Sequence, residues 1–124
     1  MKSTLIISWL VVGLLPNLSS AEEIFLTCDI IESKSKRLDS WVDVPPKRPK
    51  ISVKVDIAAE ECDGMYCDIS DTAFRWQERS RIDKTEVTTY KVDRVTGEYL
   101  MTHTDAKGPW FRERGTCLKT NIRF

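Results

Sequence analysis

The stretch that decides the fold is Lys91-Val-Asp-Arg-Val-Thr-Gly-Glu-Tyr-Leu100, which lies in a segment rich in β-forming residues. Residues of high β propensity run up to Arg94, Thr96-Gly97 marks a turn, and β formers resume after it. If Gly97 adopts a left-handed conformation that closes a three-residue loop, Arg94 faces Glu98 across the strands. The stretch therefore predicts a β-hairpin with Arg94 and Glu98 as a cross-strand pair.

The register of this hairpin decides which side chains share a face. It gives two further cross-strand pairs on a half-apolar face, namely Val92 with Leu100 and Tyr90 with Thr102. His103 falls on the opposite face together with Tyr99. The pattern thus predicts Val92 and Leu100 as core residues and His103 as a surface residue of a strand.

Residues 1–21 are typical of a secretory signal peptide. Lys2 gives a positive start, residues 5–15 form an apolar core of 11 residues, and Ser19-Ser20-Ala21 is a small-x-small cleavage pattern. The apolar core is too short to anchor the chain across about 30 Å of hydrocarbon. An uncleaved anchor and a lipoprotein attached at Cys28 are the alternatives. We expect cleavage after Ala21 and a mature protein that is periplasmic or secreted.

The mature part, residues 22–124, has the size of one domain. The chain carries 19 basic and 19 acidic residues, and loss of Lys2 with the leader leaves a net charge of −1. This balance argues against a nucleic-acid partner and against a solvating acidic tail. We expect a monomer that does not contact the membrane after cleavage.

The four cysteines all lie in the mature part, and an even count in a small exported domain predicts two disulfides. Three pairings are possible, and we favour Cys28–Cys117 with Cys62–Cys67. The first joins the opening strand to the closing strand, and the second pins a turn built on Asp63-Gly64. Zinc at the cysteines and calcium at the nearby aspartates are alternatives whose ligand spacing the sequence does not match. We expect no metal and no cofactor.

The rest of the mature chain alternates between short strands and turns. Residues 23–31 and 51–57 place apolar residues at every second position, and residues 72–78 put Phe74 and Trp76 on one face, which we interpret as core. Residues 32–39 are polar and are interpreted as a solvated connection. Seven or eight strands and no helical periodicity predict an all-β antiparallel meander, closed as a barrel or a sandwich.

Two segments are candidates for a binding surface. The proline-rich segment Pro45–Lys50 holds the one basic cluster, formed by Lys47, Arg48 and Lys50. Trp110 and Phe111 follow a loop rich in turn-forming residues and form a strand or an aromatic lid. The alternative is that the basic segment is only a solvated connector.

No catalytic signature stands out. The chain has a single histidine, His103, and lacks a Gly-x-Ser-x-Gly elbow. A constellation of Glu98, Arg94 and His103 could in principle cleave RNA, but the expected register puts His103 on the other face from the other two. We therefore assign no catalytic residue and expect a protein that is not an enzyme, with a small RNase-like hydrolase using His103 as the alternative.

The run Val92 to Tyr99, followed by Gly115-Thr-Cys117, resembles small exported bacterial proteins of unknown function. Many of these share a hydrophobe-(Asp/Asn)-Arg-x-Thr-Gly turn and a late Gly-x-Cys. The resemblance covers roughly the last third of the chain and implies no activity. In architecture the expected domain is also similar to periplasmic lysozyme inhibitors, which are small disulfide-bearing β-barrels, although their inhibitory loop has no match here.

These observations predict a binding or inhibitor module of the cell envelope. Its partner would be an envelope protein or a polysaccharide. The contact would be made by Lys47, Arg48, Lys50, Trp110 and Phe111.

Overall fold

The computed structural model describes residues 23–120, which form nine β-strands and no helix. The expected signal peptide lies outside the described residues. The strands are β1 (Glu23–Arg37), β2 (Ser40–Asp43), β3 (Lys50–Asp56), β4 (Glu61–Cys62), β5 (Met65–Ile69), β6 (Ala73–Arg79), β7 (Val87–Asp93), β8 (Glu98–Asp105) and β9 (Gly108–Thr120). The predicted all-β class is confirmed.

The strands form a closed antiparallel barrel of eight strands rather than a sandwich. From β3 to β9 each strand pairs with the next along the chain, and β1 closes the barrel by pairing with both β3 and β9. The short strand β2 lies outside this ring, because it pairs only with the last residues of β1. Each of the eight barrel strands therefore has a paired neighbour on both sides, although β3 and β4 pair only at Val55–Cys62 and Asp56–Glu61.

The first strand is much longer than its apolar pattern indicates. The segment interpreted as a solvated connection, residues 32–39, continues β1 as far as Arg37, and this correction has a simple cause. A β-bulge at Ile31 shifts the register of β1 against β9 by one residue. Before the bulge the even-numbered residues Leu26, Cys28 and Ile30 point inward, and after it the odd-numbered residues do, beginning with Ser33. The second half of β1 therefore points polar side chains into the barrel. Because it lacks apolar residues at alternate positions, its sequence does not predict a strand.

The hairpin of β7 and β8 forms, but its predicted register is wrong by one residue. Four residues, Arg94 to Gly97, separate Asp93 from Glu98, because the Asp93 carboxylate accepts hydrogen bonds from the backbone of Val95 and Thr96 and builds a longer turn. Gly97 has the expected left-handed conformation, with φ at +83°.

The corrected register replaces the predicted pairs. Val92 faces Tyr99 and Tyr90 faces Met101, so Leu100 points outward and Tyr99 is buried in the core. The predicted Arg94–Glu98 pair does not form. Arg94 instead donates to the carbonyl oxygen of Ser70 and lies over the ring of Phe74.

Both predicted disulfides are present, Cys28–Cys117 and Cys62–Cys67. The first joins directly opposed residues of β1 and β9 and so fastens the seam that closes the barrel. The second staples the hairpin of β4 and β5, whose two-residue turn has positive φ at both Asp63 and Gly64. That geometry is the one Asp-Gly favours in tight hairpins. Two disulfides are typical of an oxidising, extracytoplasmic environment.

The apolar core fills the half of the barrel around the Cys28–Cys117 disulfide. We call it the disulfide half. Its members include Leu26, Cys28, Val53, Val55, Phe74, Val92, Tyr99 and Cys117. Gly115 lets β1 and β9 approach closely here, since a Cβ atom at this position would overlap the carbonyl oxygen of Asp29. The predicted core residues Phe74 and Trp76 are both buried.

Candidate functional site

The opposite half of the barrel opens into a cavity of about 510 Å³, which we call the mouth cavity. By the strand register it lies beyond Met101 and Tyr90, on the side away from the Cys28–Cys117 disulfide. Its lining combines aromatic, cationic and polar groups: Ser35, Arg37, Val44, Pro45, Lys47, Arg48, Met101, His103, Trp110, Phe111 and Glu113. A barrel mouth of this volume is a common place for a small ligand to bind.

One wall of the cavity is a cluster of three rings. The His103 imidazole stacks on Trp110 with ring centroids 5.2 Å apart, and on Phe111 with centroids 5.5 Å apart. A strand normally sends neighbouring side chains to opposite faces, but a register shift between β8 and β9 makes Trp110 the extra residue opposite His103. The bulge thereby brings Trp110 onto the same side as Phe111.

The imidazole of His103 is built into this wall. Its Nδ1 lies 2.6 Å from the hydroxyl oxygen of Thr88 on β7, and the side chain is partly buried. Burial lowers the pKa of His103 below its ordinary value and the Lys47 charge adds to this, while nearby glutamates, Glu113 first among them, oppose it. The ring is therefore neutral at neutral pH and offers one donor and one acceptor nitrogen.

The floor of the cavity is polar. Ser33, only 2% exposed, donates its hydroxyl to Oε2 of Glu113 at 3.1 Å. Glu113 follows Phe111 by two residues on β9, so both side chains face the interior. The Ile31 bulge brings the serines of β1 to the same face, where Ser35 lines the cavity and Ser33 lies beneath the lining, bonded to Glu113.

Three cations line the cavity, Lys47 and Arg48 from the proline-rich segment and Arg37 from the end of β1. Among residues 23–120, no carboxylate lies within ion-pair distance of any of the three. Burial is the main cause that raises the pKa of the Tyr90 phenol, and the positive charge of Arg48 acts against this rise. With Glu113 as the one carboxylate in the lining and His103 neutral, the cavity carries an excess of positive charge.

The structure brings together four of the five predicted binding residues. Lys47, Arg48, Trp110 and Phe111 line one cavity although more than 60 residues separate the two segments in sequence. Lys50 lies elsewhere, where it starts β3 and its Nζ is 3.5 Å from Oδ1 of Asp29.

Sequence reasoning missed Arg37, Glu113 and the position of His103. Arg37 belonged to a segment interpreted as a connection, and the interpretation of His103 as a surface residue is wrong. Its assignment to the face of Tyr99 is right, but that face is the barrel interior. Glu113 follows Phe111 by two residues, and this spacing indicates that the two side chains share a face of β9. The spacing points to the cavity only when the register of β9 is known.

Glu98 and Arg94 do not join His103. They lie at the turn between β7 and β8, the end of the hairpin remote from the mouth, and Glu98 approaches Arg114 at 4.0 Å instead. A carboxylate and cations do accompany His103 in the mouth cavity, but they are Glu113, Lys47 and the two cavity arginines.

A second depression of about 520 Å³ lies on the outer surface of β6, β7 and β8. Outward side chains of one sheet face form most of its lining, including Arg75, Gln77, Lys91 and Leu100. It is shallower than the mouth cavity, which strands and the proline-rich segment enclose from several sides. In residues 23–120 there is no cluster of three potential metal ligands and no helix able to cross a membrane.

Comparison of the chain with protein-family models, with curated proteins and with solved structures finds no match. The function is therefore argued from the chemistry of the mouth cavity.

Proposed function

We propose that this protein is an exported binding module of the cell envelope, and that its ligand or partner enters the mouth cavity. The observation that carries the proposal is the convergence of Lys47 and Arg48 with Trp110 and Phe111 on one cavity. Aromatic anchors with a few placed polar groups are typical of binding sites. Export agrees with the two disulfides and with the leader-like first 21 residues.

Several features favour binding over catalysis. The imidazole of His103 stacks on two rings and uses one nitrogen on Thr88, so it forms part of the wall. All four cysteines are in disulfides and cannot act as nucleophiles. Glu113 holds a hydrogen bond from buried Ser33, which orients its carboxylate within the floor.

Capture from the native envelope tests this proposal. Oxidised protein is immobilised, and bound material is identified by mass spectrometry for wild type, Trp110→Ala and Lys47→Ala. Lys50→Ala serves as the matched control because Lys50 belongs to the same segment but pairs with Asp29 outside the cavity. We expect material that Lys50→Ala retains and the other two variants lose. Capture that Trp110→Ala and Lys47→Ala leave unchanged would refute the assignment of the site.

A small hydrolase is the second candidate, and one observation favours it. His103 lies in a concave site with the carboxylate of Glu113 and with three cations that could stabilise a phosphate. Cleavage of a short RNA by wild type, abolished by both His103→Gln and Glu113→Gln in folded protein, would support this function. Intact RNA after prolonged incubation with wild type would remove it.

A further inference from the structure

We propose that the ligand of the mouth cavity is an acidic saccharide, held by its ring against Trp110 and by its carboxylate against Lys47 and Arg48. This inference rests on the proposed binding function and assigns the chemical class of its ligand. Three features of the cavity carry it: the unpaired cations, the open aromatic face and the polar floor.

The cations of the cavity favour an anionic ligand. Arg37, Lys47 and Arg48 line the cavity without a carboxylate partner in the described part of the chain, and only Glu113 lies among them. All three side chains are solvent-exposed, and with a single carboxylate beside them their combined positive potential attracts an anion. Two arginines beside a lysine suit a planar carboxylate, because guanidinium groups bind it in a bidentate manner.

The aromatic wall requires a flat, partly apolar body. Trp110 is 39% exposed although it stacks on His103, so part of its surface is available to a ligand. Its position depends on the bulge between β8 and β9, which brings it to the cavity side. A pyranose ring offers apolar C–H groups to such a surface and keeps its hydroxyls free for the walls.

The polar floor separates a saccharide from a simple aromatic or fatty acid. Ser35, Glu113 and the second nitrogen of His103 can exchange hydrogen bonds with several hydroxyl groups. An apolar acid would bury these groups without partners, and unpaired buried polar groups strongly disfavour binding. A sugar acid satisfies the cations, the ring surface and the floor together.

Calorimetric titration of the oxidised protein tests the inference with two matched probes. The first is α-1,4-linked trigalacturonate, and the second is its methyl ester, which keeps the rings and hydroxyls but removes the charges. We expect trigalacturonate to bind at least about tenfold more tightly than the ester, the factor that one charge-assisted interaction contributes. Added salt should weaken trigalacturonate more than the ester, because screening acts on the charges.

Variants locate the binding. Trp110→Ala and the double variant Lys47→Gln/Arg48→Gln should each weaken trigalacturonate by about tenfold or more. Two controls match these changes: Trp41→Ala removes a tryptophan that stacks under Arg112, and Lys50→Gln removes a cation paired with Asp29. Both should leave the affinity within about twofold. Circular dichroism of each variant confirms that it is folded.

The other outcomes distinguish the ligand class from the binding function itself. Equal affinity for acid and ester, lost in Trp110→Ala, would overturn the acidic class and leave the module intact. Failure of trigalacturonate to bind, with Trp110-dependent capture of an envelope protein, would overturn the saccharide and again spare the module. Tighter binding or cleavage of a short RNA would favour the hydrolase. Trigalacturonate binding that ignores Trp110 and the cations would refute both proposals.

Discussion

The two halves of the barrel interior are built by the same strands but from different chemistry. In the disulfide half, Cys28 and Val55 are fully buried and Tyr99 is 2% exposed. In the mouth, the same strand β1 contributes Ser35 and Arg37, and β8 contributes His103. Apolar packing stabilises a small barrel efficiently, whereas polar groups at interior positions do not. Departures from that rule concentrate at functional sites, so the contrast supports the proposal that the ligand binds at the mouth.

The largest expected effect comes from removing the disulfide that fastens the barrel seam. Cys28→Ala/Cys117→Ala should lower the free energy of unfolding by about 4–5 kcal/mol, because the crosslink closes a long loop. Cys62→Ala/Cys67→Ala should cost about 2 kcal/mol, since its loop is short. Urea denaturation of the two double variants measures both. Equal losses would mean that the seam is not the main constraint on the unfolded chain.

A pair of tryptophans compares the halves directly. Trp76 is 5% exposed and stacks on Tyr90, so Trp76→Ala should cost about 3–5 kcal/mol by leaving a cavity in the core. Trp110→Ala at the mouth should cost less than about 1 kcal/mol, because that side chain is 39% exposed. Thermal and urea unfolding measure both variants. A similar cost for Trp110 would show that the aromatic wall is part of the folding core.

The disulfide half was largely predictable because its strands show a regular alternation of apolar residues and its turn has a recognisable local sequence. Alternation in residues 51–57 identified β3, Asp63-Gly64 identified a tight turn, and the cysteine count identified two crosslinks. A disulfide between the first and last strands agrees with closure of the barrel, and β1 and β9 are indeed paired.

The mouth was only partly predictable because two bulges and one turn decide its geometry. The Ile31 bulge turns polar residues inward, and the bulge at Trp110 brings that ring beside His103. An aspartate-capped turn at Asp93 adds one residue to the hairpin and shifts its register. Each of these three features shifts the register of a strand by one residue, so that inward and outward side chains exchange places. None of the three is marked by a distinctive residue pattern.

Substitution of two glycines with positive φ distinguishes the cost of backbone strain from the cost of a steric overlap. Gly97→Ala should cost about 2–3 kcal/mol, because φ is +83° and the new Cβ would lie 2.8 Å from the carbonyl oxygen of Cys117. Gly64→Ala should cost about 1 kcal/mol, since its φ is similar but nothing lies within 4 Å of the added atom. Urea denaturation measures both, and Gly97→Val should be worse still. Equal costs would show that contact with the β9 seam contributes nothing at Gly97.

The smallest effect is a pH dependence that only the mouth should show. Because the pKa of His103 is lowered by burial, the unfolded chain binds more protons than the folded one just below the ordinary pKa of about 6.5. The histidine therefore imposes no penalty on folding above that pH and lowers the free energy of unfolding as the pH falls below it. Between about pH 7.5 and about pH 5.5, wild type should lose more stability than His103→Gln.

The difference between the two proteins isolates the imidazole, because every other titrating group is common to both. Glu113, Glu86 and Glu78 act against burial by favouring the imidazolium, whereas Lys47 acts with burial. If wild type instead gained stability relative to His103→Gln on acidification, the glutamates would outweigh burial and the folded protein would hold a charged imidazole. The mouth would then carry one more positive charge than its unpaired cations supply, and its preference for an anion would increase at acidic pH.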